Sequence, residues 1–266
     1  MHATNPPLVL IFGPFDPSGS GSLPADAVTL ATLGCHALSV LTAVQVHDTA
    51  GIESIEPLLP EIIDDQARCM LEDMSVQAFK VGPLYTTEAV SVLAQIAADY
   101  SHVPLVLQLT APPAESLLED WDAEDVHMAI CELLLPQTKV VVADHMLIER
   151  MQSQGLLAGA RSGSPAKALL DFGAEWVLST GVALRPGQQG HVLQGQRQET
   201  SNWPWDAPVA RAADADGPLA CAITAQLARG IPVVQAVDAA IALAGPLSRR
   251  VFQPGMGQRI INRCAS

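Results

Sequence analysis

Short apolar runs alternate with longer stretches of helical spacing along most of the chain. Leu8–Phe12, Leu38–Val44, Ala78–Val81, Leu105–Leu109, Val140–Val142 and Trp176–Ser179 read as strands. Between them, Pro60–Glu72 starts on a proline, which suits a first helical turn. Thr86–Tyr100 opens on two threonines able to cap a helix and places Leu93, Ile96 and Ala97 on one face. Strand alternating with helix predicts an α/β fold with three layers, a mostly parallel central sheet and right-handed crossovers that put helices on both faces. The core of that sheet is expected to hold Val9, Ile11, Val40, Leu41, Val106, Val141 and Val177.

The pattern changes late in the chain. Gln188–Trp205 is polar and glycine-containing and predicts one or two short hairpins, with Trp203 and Trp205 anchoring a loop. Leu219–Arg229 and Val233–Ala244 are alanine-rich and predict two packed helices, the first ended by Gly230 and the second opened by Pro232. Glu119–Asp125 is acidic and predicts a solvated helix start. No linker or internal repeat divides the chain, so one domain over 1–266 is expected.

Composition narrows the possible partners. The 266 residues carry 14 basic and 28 acidic side chains, a net charge of −14, which repels nucleic-acid backbones. No apolar run reaches the roughly 20 residues of a membrane span. The first residues lack the basic start of a secretory signal, and a cytoplasmic setting is the expectation. The five cysteines are scattered without a C-x-x-C pair, so they predict small core residues rather than a zinc or redox site. The histidines show no ligand spacing, and His145 reads as a surface or loop residue.

Two segments carry more specific chemistry. Asp16-Pro17-Ser18-Gly19-Ser20-Gly21-Ser22-Leu23-Pro24-Ala25-Asp26 follows the first strand, and its glycines would let a ligand approach the backbone closely. Leu33-Gly34-Cys35-His36-Ala37, Thr42-Ala43 and Asp48-Thr49 follow, and farther on Lys80-Val81-Gly82-Pro83-Leu84, Leu133–Pro136 and Gln226–Gly230. Together these resemble the hydroxymethylpyrimidine and phosphomethylpyrimidine kinases of the ribokinase superfamily. The likeness is nearly ungapped to about residue 110 and spans most of the chain. It implies a ribokinase-like fold, use of ATP and Mg2+ in thiamine biosynthesis, a small pyrimidine-like ligand and a homodimer.

Carried over position by position, the resemblance puts Gly13, Asp16, Gly19, Asp26, His47 and Gly82 on the substrate side. It implies that Asp26 accepts hydrogen bonds from the ring's amino group and that His47 replaces a ring-reading glutamine. Pro14 and Pro83 stand where a glycine and a methionine are usual. Asp26 and His47 are expected to face one cavity beside the Asp16–Ser22 loop.

The phosphate side departs from the family. A G-(T/S)-G-C loop, whose amides hold the anion and whose cysteine occupies the place of the base that is aspartate in ribokinases, reads Asp214-Ala215-Asp216-Gly217. Gly217 has no side chain to take a proton. A carboxylate about 5 Å from a phosphate costs roughly 3 kcal/mol per charge pair at an effective dielectric near 20. The two aspartates read foremost as helix caps, with recruitment of magnesium or service of Asp216 as the base as alternatives. Gln108 and Leu147 stand at acidic positions of the family, while Asp144, Thr180 and Gly181 keep part of the nucleotide-side motifs. Two functions follow: the family's ATP-dependent kinase reaction, or a non-catalytic relative that binds a pyrimidine-like ligand or a partner protein. These losses predict little phosphoryl transfer.

Overall fold

The computed structural model describes residues 5–118, 122–157, 164–205, 212 and 214–264. A nine-stranded sheet forms from β1 (Leu8–Phe15), β2 (His36–His47), β3 (Ile52–Pro57), β4 (Ala78–Val81), β5 (Leu105–Leu109), β6 (Val140–Asp144), β7 (Trp176–Arg185), β8 (Gln188–Gly195) and β9 (Thr200–Trp205). Its order is β3-β2-β1-β4-β5-β6-β7-β8-β9. The strands β2, β1, β4, β5, β6 and β7 are parallel, and β3, β8 and β9 extend the edges antiparallel.

Alternate residues of the parallel strands feed two apolar layers, as the period of a strand requires. Leu10, Phe12, Phe79, Leu105, Leu107, Val141 and Val177 meet the helices α2 (Pro60–Asp73), α3 (Thr87–Asp99), α4 (Ala123–Ala129), α5 (His145–Ser153) and α6 (Pro165–Asp171). On the opposite face, Val9, Ile11, Val106, Val140, Val142 and Leu178 meet α1 (Ser22–Thr32), α7 (Gly217–Leu227) and α8 (Val233–Ser248). The expected core residues are fully buried except Leu41, which is half-buried and packs at the margin of the apolar cluster beneath α1.

Strand direction reverses its order of growth at β1. The chain places β2 on one side of β1 and β4 to β7 on the other, so a crevice opens between the carboxyl ends of β1 and β4. Such switch points are where open parallel sheets bind ligands.

Other elements match or refine the sequence reading. Gln188–Trp205 forms β8 and β9, and Trp203 donates its indole N–H to Asp238 on α8 at 2.8 Å, with Trp205 against the His191 ring. Glu119–Trp121 of the acidic run lie outside the described residues, and Asp122 caps α4 through the amides of Glu124 and Asp125. Cys35, Cys131 and Cys221 are buried, whereas Cys69 and Cys264 are exposed. His145 opens α5 and pairs with Glu149 one turn on. A short hairpin of β10 (Val251–Phe252) and β11 (Ile260–Ile261) follows α8. Among the described residues no helix is long and apolar enough to cross a membrane.

Candidate active site

Asp16, just past β1, organises the loop that enters α1. Its Oδ1 accepts from the Ser18 amide at 2.8 Å and the Ser18 hydroxyl at 2.6 Å, and Oδ2 accepts from the Ser20 hydroxyl at 2.7 Å and the Gly21 amide at 2.9 Å. Burial opposes ionisation of this carboxyl, but the donated hydrogen bonds and nearby His47 outweigh it and hold Asp16 below the usual carboxylate range. Gly19 supplies the turn, with φ of +66°. His47, at the end of β2, places Nδ1 3.0 Å from Asp16 Oδ1 but off the line of a hydrogen bond, so their contact is electrostatic. With Ser20, Thr49, Pro113 and Gln258, His47 lines a cavity of about 320 Å3.

Asp26 does not join that cavity, contrary to the expectation from sequence. One turn into α1 it is 2% exposed, and its Oδ2 lies 2.5 Å from Lys80 Nζ of β4 while Oδ1 accepts from the Cys221 thiol at 3.1 Å. The buried ammonium draws the carboxylate inward and away from His47. Burial pushes the Cys221 thiol well above its ordinary range, so Cys221 acts here as a donor. Gly13 lies within β1 against Leu23, and the Gly82 amide donates to the Phe12 carbonyl at 2.8 Å, closing the crevice floor. Pro14 is buried in β1, and Pro83 lines a narrow cleft with Tyr85 and Gln108.

The residues expected on the nucleotide side, Asp144, Thr180 and Gly181, lie together at the ends of β6 and β7. Asp144 Oδ1 accepts the amides of Met146 at 2.9 Å and Leu147 at 3.2 Å and so starts α5. It pairs in register with Thr180, whose hydroxyl donates to Asp216 Oδ2 at 3.1 Å, and Gly181 turns beside the Asp144 carboxylate with φ of +70°. A cleft of about 620 Å3 opens here, bordered by Gln108, Asp144, Leu147, Arg150, Asp214 and Asp216. Among the described residues no three metal-ligating side chains converge.

The cap reading of the paired aspartates is corrected. Asp216 takes the N-cap position of α7 without a side-chain cap hydrogen bond and turns to Thr180 instead. Asp214 accepts from Gln108 Nε2 at 2.9 Å and faces Arg263 of the C-terminal segment, NH2 to Oδ2, at 3.4 Å. Its carboxylate lies over Gly217, where any Cβ would collide with it, and its own Cβ packs against Gly21, where a Cβ would lie 3.2 Å away. Gln108 also accepts from Lys80 Nζ at 2.7 Å, linking Asp26, Lys80, Gln108, Asp214 and Arg263 in one chain of contacts. The changes at 108, 214 and 217 thus form one constellation in space. Arg263 escapes the sequence reading altogether, as a lone arginine between Ile260-Ile261 and the chain end is its only signal.

Comparison with known proteins agrees with this geometry. The family model for phosphomethylpyrimidine kinase matches residues 16–262. A hydroxymethylpyrimidine/phosphomethylpyrimidine kinase of Rhizobium meliloti (strain 1021) is 29% identical over 85% of this chain and 84% of its own. The protein of the same description from Streptomyces coelicolor is 30% identical over 88% of this chain and 86% of its own. The pyridoxal kinase of Staphylococcus aureus, solved with AMP-PCP and pyridoxal, is 19% identical over 97% of this chain and 93% of its own, with a TM-score of 0.81, and shares the ribokinase-like fold. A family match over residues 16–262, on a mostly parallel sheet flanked by helices on both faces, shows that this chain belongs to the phosphomethylpyrimidine kinase family.

Proposed function

We propose that this protein transfers the γ-phosphoryl group of ATP to the hydroxymethyl group of a small pyrimidine, as the names of its relatives describe for them. The single observation that carries this reading is the meeting of the Asp16-organised loop, at Gly21, with the N-terminal end of α7 beside the cleft bordered by Asp144, Arg150 and Asp216. A helix N-terminus attracts phosphate, and phosphoryl transfer to an alcohol needs little more than positioning, charge stabilisation and a proton acceptor beside it. The ring would enter the His47 cavity, and the triphosphate would lie in the cleft bordered by Asp144, Arg150 and Asp216. A cytoplasmic setting would supply the ATP.

Magnesium is held in such sites by one or two carboxylates together with substrate phosphates and water. Asp144, at the end of β6 and beside the cleft, suits that donor set. Bound with ATP, the ion would neutralise charge on the transferred group. Arg150 from α5 and the α7 amides would orient the phosphates, although Pro218 contributes no amide to that end of the helix.

A second reading is a non-catalytic relative that binds a pyrimidine-like ligand or a partner protein. Leu147 and Gln108 favour it, because leucine has no donor for a cation and the Gln108 oxygen, where the family carries an acid, is already engaged by the Lys80 ammonium at 2.7 Å. Incubation with ATP, magnesium and either hydroxymethylpyrimidine, its monophosphate or pyridoxal, followed by phosphorus NMR, separates the readings. Kinase function predicts a new phosphoester resonance with a pyrimidine; ligand binding without any phosphoester supports the second reading.

A further inference from the structure

We propose that Asp214 is the general base of this transfer, its carboxylate standing in the space that a side chain at position 217 would fill. The inference rests on the kinase reading above. Three features place it there independently. Gly217 leaves the volume over the first turn of α7 open, and the Asp214 carboxylate occupies it. Gly21, on the substrate-side loop, lets the Asp214 Cβ approach closely, so the carboxylate lies between the loop that would carry the alcohol and the helix end that would carry the phosphate. Gln108 holds one of its oxygens, Oδ1, and Arg263 faces the other, Oδ2.

Those partners suit a proton acceptor. A carboxylate offers about four lone-pair sites, and Gln108 and Arg263 engage one on each oxygen, leaving acceptor capacity toward the cleft. The side chain is 14% exposed and lines the cleft, so a substrate hydroxyl can reach it. Arg263 also offsets the repulsion between this carboxylate and an incoming phosphate. A neutral amide at Gln108 avoids setting a second carboxylate against the first, while tying it to the Lys80 ammonium.

The neighbouring groups are committed elsewhere. Asp16 accepts four hydrogen bonds within its own loop, and Asp26 is held by Lys80 and Cys221. Asp144 starts α5, and Asp216 receives the Thr180 hydroxyl. The Cys221 thiol is fully buried and donates to Asp26.

In the step, the substrate's primary alcohol gives its proton to Asp214 as its oxygen bonds to the γ-phosphorus. The bond from that phosphorus to the β–γ bridging oxygen breaks, ADP leaves with the electron pair, and Asp214 then returns the proton to solvent.

The test compares steady-state kinetics and pH profiles of wild type, Asp214→Asn and the double variant Asp214→Gly/Gly217→Asp, each checked for cooperative unfolding. Charged and titratable groups facing Asp214 are Arg263 of the C-terminal segment, Asp26 of α1, Lys80 of β4 and Cys221 of α7, and all are retained. Asp214→Asn is expected to lower kcat by about 10²–10⁴-fold and to remove the acid limb of the kcat/KM profile, with KM values changed far less. The double variant, which moves the carboxylate to position 217, should recover part of the kcat and restore an acid limb. Asp214→Asn with kcat within about threefold of wild type overturns the assignment and leaves the kinase reading standing. Wild type that forms no ADP in response to any of the pyrimidines overturns both.

Discussion

Lys80 Nζ lies 2.5 Å from Asp26 Oδ2 in a pair whose side chains are 1% and 3% exposed. The partners are 54 positions apart in the chain and meet only because β4 pairs beside β1, over which α1 packs. Burial raises the Asp26 carboxyl against the pull of the ammonium, and a lone charge left here would have no water to solvate it. Lys80→Met or Asp26→Asn alone should therefore cost about 3–5 kcal/mol of unfolding free energy. The double variant should cost clearly less than the sum. Urea unfolding of the three variants measures this, and additive losses would show that the pair is not coupled.

Acid stability should carry a signature of His191. Its ring is 5% exposed against Trp205, Nδ1 is buried without a hydrogen-bond partner, and burial pushes its pKa from 6.5 down to about 4. In the folded protein the ring stays neutral while the unfolded chain takes up a proton below pH 6.5. Stability tied to this group is thus full above 6.5, falls as pH drops toward about 4, and is level below that, a total of about 3 kcal/mol. His191→Phe keeps a ring against Trp205 and removes the proton site. Urea midpoints measured from pH 7 to 4 should fall less steeply in that variant than in wild type.

Packing at the α7 entrance can be tested without any ligand. Gly217→Ala places a Cβ inside the Asp214 carboxylate and should cost about 1–3 kcal/mol. In an Asp214→Gly background the same change should be neutral or stabilising, since the volume is then open and alanine restricts the unfolded chain. The double-mutant cycle isolates the contact. Equal effects in both backgrounds would place the Asp214 carboxylate elsewhere.

Arg263 ties the segment after β11 to the loop that enters α1. Its guanidinium donates to the Thr29 hydroxyl at 3.1 Å and to the carbonyls of Ser20 at 3.3 Å and Gly19 at 3.4 Å. Arg263→Leu should leave those buried acceptors unpaired and cost about 1–3 kcal/mol. Amide hydrogen exchange should quicken at residues 16–22 before it changes in β5 or β6.

Where the sequence was legible, the reason is physical. Ala78–Val81 and Leu105–Leu109 are strands at both predicted ends because every residue in them is buried and each apolar run is interrupted only once, by Lys80 and by Gln108. β1, β2, β6 and β7 run farther than their apolar patterns, through Gly13 and Pro14, Gln45 to His47, Asp144, and Thr180 with Gly181. Those extensions carry site residues instead of core, so hydrophobic periodicity stops before the strand does. Asp16 and His47 lie side by side at the ends of β1 and β2, and Asp144 borders the cleft at the end of β6. Asp214 looked like a helix cap because its local sequence is that of one, yet Gln108, 106 positions away, and Arg263 decide its orientation. The family resemblance turns Asp26 into the cavity of His47, whereas its partner is Lys80, a contact that no local pattern carries.

Pyrimidine-dependent ADP release reports the kinase reaction and the role of Asp214 together. Wild-type protein with ATP and magnesium should form ADP faster when hydroxymethylpyrimidine is added, in step with the phosphorylated product, and the stimulation should fall by about 10²–10⁴-fold in Asp214→Asn. Protein that binds the pyrimidine and ATP yet releases ADP at the same slow rate with and without the pyrimidine would contradict both.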